Sequence, residues 1–347
     1  MSQLNKKLPL WVWLPTVLLA FVLGAAAGWF FRPPEEAETA VATGELRQQS
    51  GTLTSPLLEC EVFDEQGLKT LRPFKYKLEA LLREKIDAGV LTDGSVYFRD
   101  MNNGLWFGIK EDRKYHPASL LKVPIMIACF KVAEQDPAFL RRQIRYQGDF
   151  DITSWQGIVP SQGLVKGRSY PVRELIERMI AGSDNNAAQL LVNQLDPKFL
   201  EQVLHDLDVN VNPADHEHYI SLHGYSGFFR VLYNASYLNR GFSEEALKIL
   251  TRSEFGDGLR AGLPPGVVAA TKFGESGVGP DPEIVQLHEV GIVYYPGRPY
   301  LLGIMTRGRR GNDFAGVLRE ISRLVYESVA AQHVYSPAMP PSIKVFN

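Results

Sequence analysis

The chain has 347 residues, 45% of them hydrophobic and 22% charged, which are values of a globular protein rather than a disordered or fibrous one. A formal net charge of −2 gives no electrostatic case for a nucleic-acid partner. Two cysteines, Cys60 and Cys129, are too few for a disulfide framework.

Leu8 to Phe31 carries no charge over 24 residues, enough to cross a bilayer core of about 30 Å. Lys6 and Lys7 precede it, so residues 1–7 are expected in the cytoplasm, with 8–31 as a single transmembrane anchor. A cleaved signal peptide ending near Ala25-Ala26-Ala27 is the alternative, but its apolar region would be shorter. Either reading puts the rest of the chain outside the cytoplasm. Residues 32–55, rich in Pro, Glu, Ala, Thr and Gly, read as a flexible linker, and 56–347 as one globular domain.

Within that domain, Leu78, Leu81, Leu82 and Ile86 share a helix face over Leu78–Ala88. Gly94–Asp100 and Leu105–Gly108 read as strands joined by the turn Asn102-Asn103-Gly104. An apolar helix follows at Ser119 and contains Cys129, which reads as a small buried hydrophobe; a bridge from Cys129 to Cys60 remains possible outside the cytoplasm. Residues 144–170 read as loop. The helical middle runs through Val172–Ala181, Ala187–Leu195, Lys198–Leu207, Gly227–Asn239 and Glu244–Thr251. Strands return at Val267–Lys272, Glu289–Tyr295 and Tyr300–Thr306. The last helix, Asp313–Ala331, buries Phe314, Val317, Leu318, Ile321, Leu324, Val325 and Val329. The expected fold is α/β (α+β): the first and last parts share an antiparallel sheet flanked by the terminal helices, and the middle forms an all-helical lobe. A cleft between the lobes is the expected ligand site.

Three short motifs fall at element boundaries. Ser119-Leu120-Leu121-Lys122 puts a hydroxyl and an amine one helical turn apart, so the lysine can act on the serine's proton. A capping serine and a snorkelling lysine would leave the same trace. Ser183-Asp184-Asn185 sits between two helices, where helix-end and capping chemistry would also place such residues. Lys272-Phe273-Gly274-Glu275 ends a strand before a glycine-rich bend and can offer a cation and an open backbone N–H to a cleft.

Together, in this order, the motifs resemble the Ser-x-x-Lys, Ser-Asp-Asn and Lys-Thr-Gly signature of the penicillin-recognising serine hydrolases, meaning class A β-lactamases and D,D-peptidases. The resemblance spans about residues 58–332. It implies Ser119 as the acylated nucleophile and Lys122 as its base, with a pKa depressed by burial and by Lys272. Ser183 would relay a proton to the leaving nitrogen, and Asn185 would hold the substrate amide and Lys122. Lys272 would attract a substrate carboxylate. The backbone N–H groups of Ser119 and Glu275 would form the oxyanion hole, beside Gly274. The implied substrates are β-lactams or peptidoglycan-type D-Ala peptides; no cofactor or metal is implied.

The chain departs from this signature twice. Phe273 replaces the signature threonine, which removes a hydroxyl from carboxylate recognition and leaves the substrate shape open. No Glu-x-x-Leu-Asn loop supplies a deacylating glutamate. Glu201, in Glu201-Gln202-Val203-Leu204-His205, reads as a solvated helix residue, and only Asp215 and Glu217 are local substitutes. The His216/His218 pair lacks a third metal ligand, and His116 reads as a capping or surface residue. The expected activity is acyl transfer with slow release. A catalytically weak cell-wall-peptide sensor on the same fold is the alternative.

Overall fold

A computed structural model describes residues 51–55, 65–153, 156–207, 220–277 and 283–335, with backbone only at 65–68 and 333–335. The segments expected as cytoplasmic N-terminus and anchor, 1–31, lie outside the described residues, as do linker residues 32–50, Cys60, and the loop carrying Asp215, His216, Glu217 and His218. Among the described residues no helix is long and apolar enough to cross a membrane. Cys129 is buried and free.

The opening helix α1 (Glu65–Asp87) starts 13 residues before the expected Leu78. Pro73 lies inside it and breaks the local propensity, yet Leu71 and Phe74 extend the buried stripe through Leu78, Leu81 and Leu82, so tertiary packing keeps the helix going. Strands β1 (Asp93–Asp100) and β2 (Trp106–Ile109) form the expected hairpin. The chain then passes β3 (Lys114–Tyr115) and a 3-10 turn, Ala118–Leu121, into α2 (Lys122–Gln135). The stretch read as loop is closed at its ends by β4 (Gln143–Arg145) pairing with β5 (Ser169–Pro171).

Helices α3 (Val172–Ala181), α4 (Asn185–Val192) and α5 (Pro197–Asp206) follow, then β6 (Ile220–Ser221), α6 (Leu222–Tyr233) and α7 (Arg240–Leu250). Helix α6 begins five residues earlier than expected because Ser221 caps it, its side chain accepting from Gly224 N, and Leu222 and Tyr225 are as buried as Phe228 and Phe229. Strands β7 (Ala269–Ser276), β8 (Ile284–Val293) and β9 (Tyr300–Arg309) precede the final helix α8 (Phe314–Tyr335).

The sheet is antiparallel with order β2-β1-β9-β8-β7, so the two ends of the chain do meet in one sheet. Its central strands are buried on both faces, and this explains why their sequences lack clean alternation. On β1, Val96 and Phe98 face α1 and α8, whereas Tyr97 faces the helical lobe. On β9, Leu302 and Ile304 face the terminal helices, and Leu301 and Met305 face the lobe. Strand β7 runs four residues past its expected end, so Lys272 lies mid-strand on the sheet's edge.

Residues 51–55, the end of the stretch read as linker, are docked on the globular domain. Leu53 N–H and Thr54 N–H donate to the Glu244 carboxylate at 2.9 and 3.0 Å, and Tyr294 OH donates to Leu53 O at 2.9 Å. Side-chain composition alone does not show such backbone pairing. Hydrogen bonds to a charged group contribute about 1.5–3 kcal/mol, so Glu244→Ala is expected to lower stability by about 1–3 kcal/mol. A lower urea midpoint and faster proteolytic clipping near residue 53 would register it.

Candidate active site

The three motifs converge on Lys122. Its Nζ lies 3.0 Å from Ser119 Oγ, 3.1 Å from Ser183 Oγ and 2.6 Å from Asn185 Oδ1, with a further short hydrogen bond to Ser183 O. Ser119 belongs to the 3-10 turn and Lys122 opens α2, so local helical geometry supplies the first pair. The second pair needs a special backbone. Ser183 adopts φ +57, a left-handed conformation rare for a side-chain-bearing residue, and thereby offers both its carbonyl and its hydroxyl to Lys122. Asp184 then caps α4 by accepting from Ala187 N at 3.0 Å, and Asn185 is the helix's first residue.

Burial lowers the pKa of Lys122 from 10.5 to about 7, against the opposing charge of Asp184. The contribution expected from Lys272 runs the other way: the Lys122 charge adds to burial in pushing Lys272 well down, whereas Lys122 itself is lowered by burial. A neutral amine has two hydrogens and one lone pair. Ser183 O and Asn185 Oδ1 can only accept, so they take the two hydrogens, and the lone pair is left for the Ser119 hydroxyl proton. Asn185 Nδ2 donates to Ile152 O at 3.3 Å, consistent with its oxygen facing the lysine.

Lys272 differs most from its sequence expectation. It is fully buried and donates to Ser183 Oγ at 2.9 Å and Phe273 O at 3.0 Å, so it does not present a cation to open solvent. The contacts form an unbroken path, Ser119 Oγ to Lys122 Nζ to Ser183 Oγ to Lys272 Nζ. Phe273 turns its ring into the core against Phe255, 4.8 Å between centroids, and is 3% exposed. It also belongs to the cavity lining, where it brings no hydroxyl.

Gly274 is required where it stands: a Cβ there would lie 2.9 Å from Pro117 O and 3.1 Å from Leu120 N, so β7 touches the Ser119 turn backbone to backbone. A cavity of about 360 Å³ opens over Ser119, lined also by Asn185, Gln156, Glu275 and Arg310. Gln156 escaped sequence reasoning. Its Nε2 donates to Ser183 O at 3.0 Å and its Oε1 accepts from Asn185 N at 3.3 Å. Two residues on, Ile158 N–H donates to Glu275 Oε2 at 3.0 Å, so this strap joins both walls of the cleft. Glu275, expected only through its backbone, is the one carboxylate among the described residues lining the cavity. Glu201 is exposed on α5 and takes no part in the cavity lining. His116 folds back to accept from Ala118 N at 3.1 Å. No group of His, Cys, Asp or Glu among the described residues is arranged to hold a metal.

A model of the beta-lactamase enzyme family matches residues 74–329. Among solved structures, the chain is similar to a point mutant of PBP-A in an acyl-enzyme complex with penicillin G (22% identity, 75% of this chain and 97% of that one, TM-score 0.62). It is also similar to a beta-lactamase from Chitinophaga pinensis (19% identity, 74% and 99%, TM-score 0.64) and to an ancestral class A beta-lactamase (21%, 74% and 99%, TM-score 0.61). At these identities the likeness is one of fold. No curated protein matches the chain.

The lowered pKa sets a pH profile. Below about 7 Lys122 holds its proton and cannot act as a base, and above it the amine is free. Acylation of Ser119 is expected to rise with pH through an inflection near 7. Lys122→Ala is expected to lose ~10²–10⁴-fold, the usual worth of a positioned base. Rapid-quench labelling across pH 5–9 measures both.

Proposed function

Because the chain belongs to the beta-lactamase enzyme family, we propose that it is an acyl-transferring serine hydrolase whose substrates are β-lactams or D-Ala-D-Ala-type amides. The observation that carries this reading is the contact of Lys122 Nζ with Ser119 Oγ, made by a lysine whose other two contacts of 2.6 Å or less are to pure acceptors. In the first step neutral Lys122 takes the Ser119 proton as Oγ bonds to the substrate carbonyl carbon. The oxyanion is received by the N–H groups of Ser119 and Glu275. When the C–N bond breaks, the proton returns through Ser183 to the leaving nitrogen, and an ester on Ser119 remains.

Release needs a base for water. The one carboxylate lining the cavity among the described residues, Glu275, is engaged by Ile158 N–H. Slow deacylation follows, which is closer to a penicillin-binding peptidase than to a fast β-lactamase. Labelling with a fluorescent penicillin tests the acylation. Stable label in the wild type and none in Ser119→Ala is the expected result; no label with any β-lactam would leave a peptide-sensing module on the same fold as the better reading. Intact-protein mass spectrometry after a penicillin pulse is expected to show the adduct persisting for minutes or longer. Adduct loss within seconds would sink the slow-release claim.

The charge-free run 8–31 behind Lys6 and Lys7 supports a single-pass anchor with the catalytic domain outside the cytoplasm. The full chain is expected to stay in the membrane pellet after alkaline carbonate washing, and a chain starting at residue 50 to be released.

A further inference from the structure

The turn that carries Ser119 is strained, and its first N–H is held by His116 Nδ1. Ala118 sits at φ +48, and Pro117 offers no side-chain hydrogen bond to the 3-10 turn it precedes. A left-handed residue other than glycine is costly and persists only where its surroundings hold it. Strand β7 packs on the turn itself at Gly274, and strand β8 holds the residue that leads into it. His116 N–H donates to Gln286 Oε1 at 3.2 Å, and His116 O lies 3.1 Å from His288 Nε2. Two side chains of one strand face thus grip one peptide residue from its amide and its carbonyl.

We propose that Gln286 and His288 are positioning residues for the nucleophile, fixing the backbone of His116 so that Ser119 Oγ meets Lys122 Nζ. The inference rests on the serine-hydrolase reading above, but its structural basis is separate. Thr306 N–H donates to His288 Nδ1 at 3.3 Å. A backbone N–H can only donate, so the ring proton is on Nε2 and the contact to His116 O is a donated hydrogen bond. His288 is fully buried, with Tyr115 edge-on at 5.3 Å, and burial drives its pKa down to about 3. The ring stays neutral and keeps the same donor at every pH where Lys122 works.

The clamp is also in register with the pocket. Gln286 pairs across the sheet with Ser276 and His288 with Gly274, so β8 sets the nucleophile turn against the strand that lines the cavity. Tyr225 OH closes the far side by donating to Leu120 O at 3.0 Å. With the lysine independently pinned by Ser183 and Asn185, loosening the clamp moves the serine and leaves its base in place.

The test compares His288→Ala, His288→Gln and Gln286→Leu in the full chain, with fluorescent penicillin as the probe. Misplacement on the scale of 1 Å can cost ~10²-fold. His288→Ala and Gln286→Leu are therefore expected to lower the acylation plateau by ~10–100-fold with the inflection still near 7. His288→Gln, which keeps an N–H donor at similar reach, is expected to recover most of the rate. Acylation of His288→Ala and Gln286→Leu within threefold of wild type would overturn the proposal. So would a loss accompanied by an inflection moving toward an ordinary lysine, since that reports collapse around Lys122. Hydrogen exchange over residues 116–121 reads the clamp without any reaction. It is expected to speed up about tenfold or more in Gln286→Leu and His288→Ala, and unchanged exchange overturns the clamp. A wild type that takes no label, with exchange still accelerated in the variants, overturns only the hydrolase reading.

Discussion

The site depends on one buried amine. Taking a lysine out of water disfavours its charged form, and the protein meets this by surrounding Lys122 with oxygen atoms rather than with a permanent counter-ion in contact. Asp184 is near enough to oppose the effect but not to cancel it. The amine is therefore left close to the midpoint of its titration at neutral pH, where a base is most useful. The surrounding backbone conforms to this requirement. Ser183 accepts a left-handed conformation to aim two oxygens at one nitrogen, and α4 begins at the residue whose amide oxygen completes the shell.

A second constraint is the edge of the sheet. Strand β7 is the last in the order, and its backbone approaches the Ser119 turn at Gly274, where no side chain fits. Packing there is steric and backbone-to-backbone, so it tolerates change at the neighbouring positions. Phe273 illustrates the point. The ring that replaces a small hydroxyl residue is taken up by the core beside Phe255, and the strand keeps its path. The cavity has no hydroxyl at Phe273 but carries a carboxylate at Glu275 and a strap through Gln156 and Ile158 that connects its two walls.

The fold was legible to the extent that burial is one-sided. The final helix shows its core face in the sequence because its other side meets solvent, and the residues read as buried, Phe314 through Val329, lie on that face. Strands β8 and β9 began earlier or ended later than read, since both faces are covered and alternation carries no information. Helix α1 was read only from Leu78, and packing carries it back through Pro73 to Glu65. Of the site, Ser119 with Lys122 and Ser183 with Asn185 were visible as short motifs. Gln156, Gln286 and His288 were not, because each acts on a residue 27 or more positions away and no local pattern marks it.

The sequence by itself determined which residues carry reactive groups, their order along the chain and the class of fold, since these follow from short-range spacing and one-sided hydrophobic periodicity. Only the tertiary structure decided the protonation and exposure of those groups. Lys272 was read as offering a cation to a cleft from a strand end and is a fully buried amine bonded to Ser183. Lys122 looked like half of a helical pair and is the meeting point of three elements. A pKa is set by the solvent removed and the oxygens gathered around a nitrogen, and both quantities exist only after distant segments have packed together.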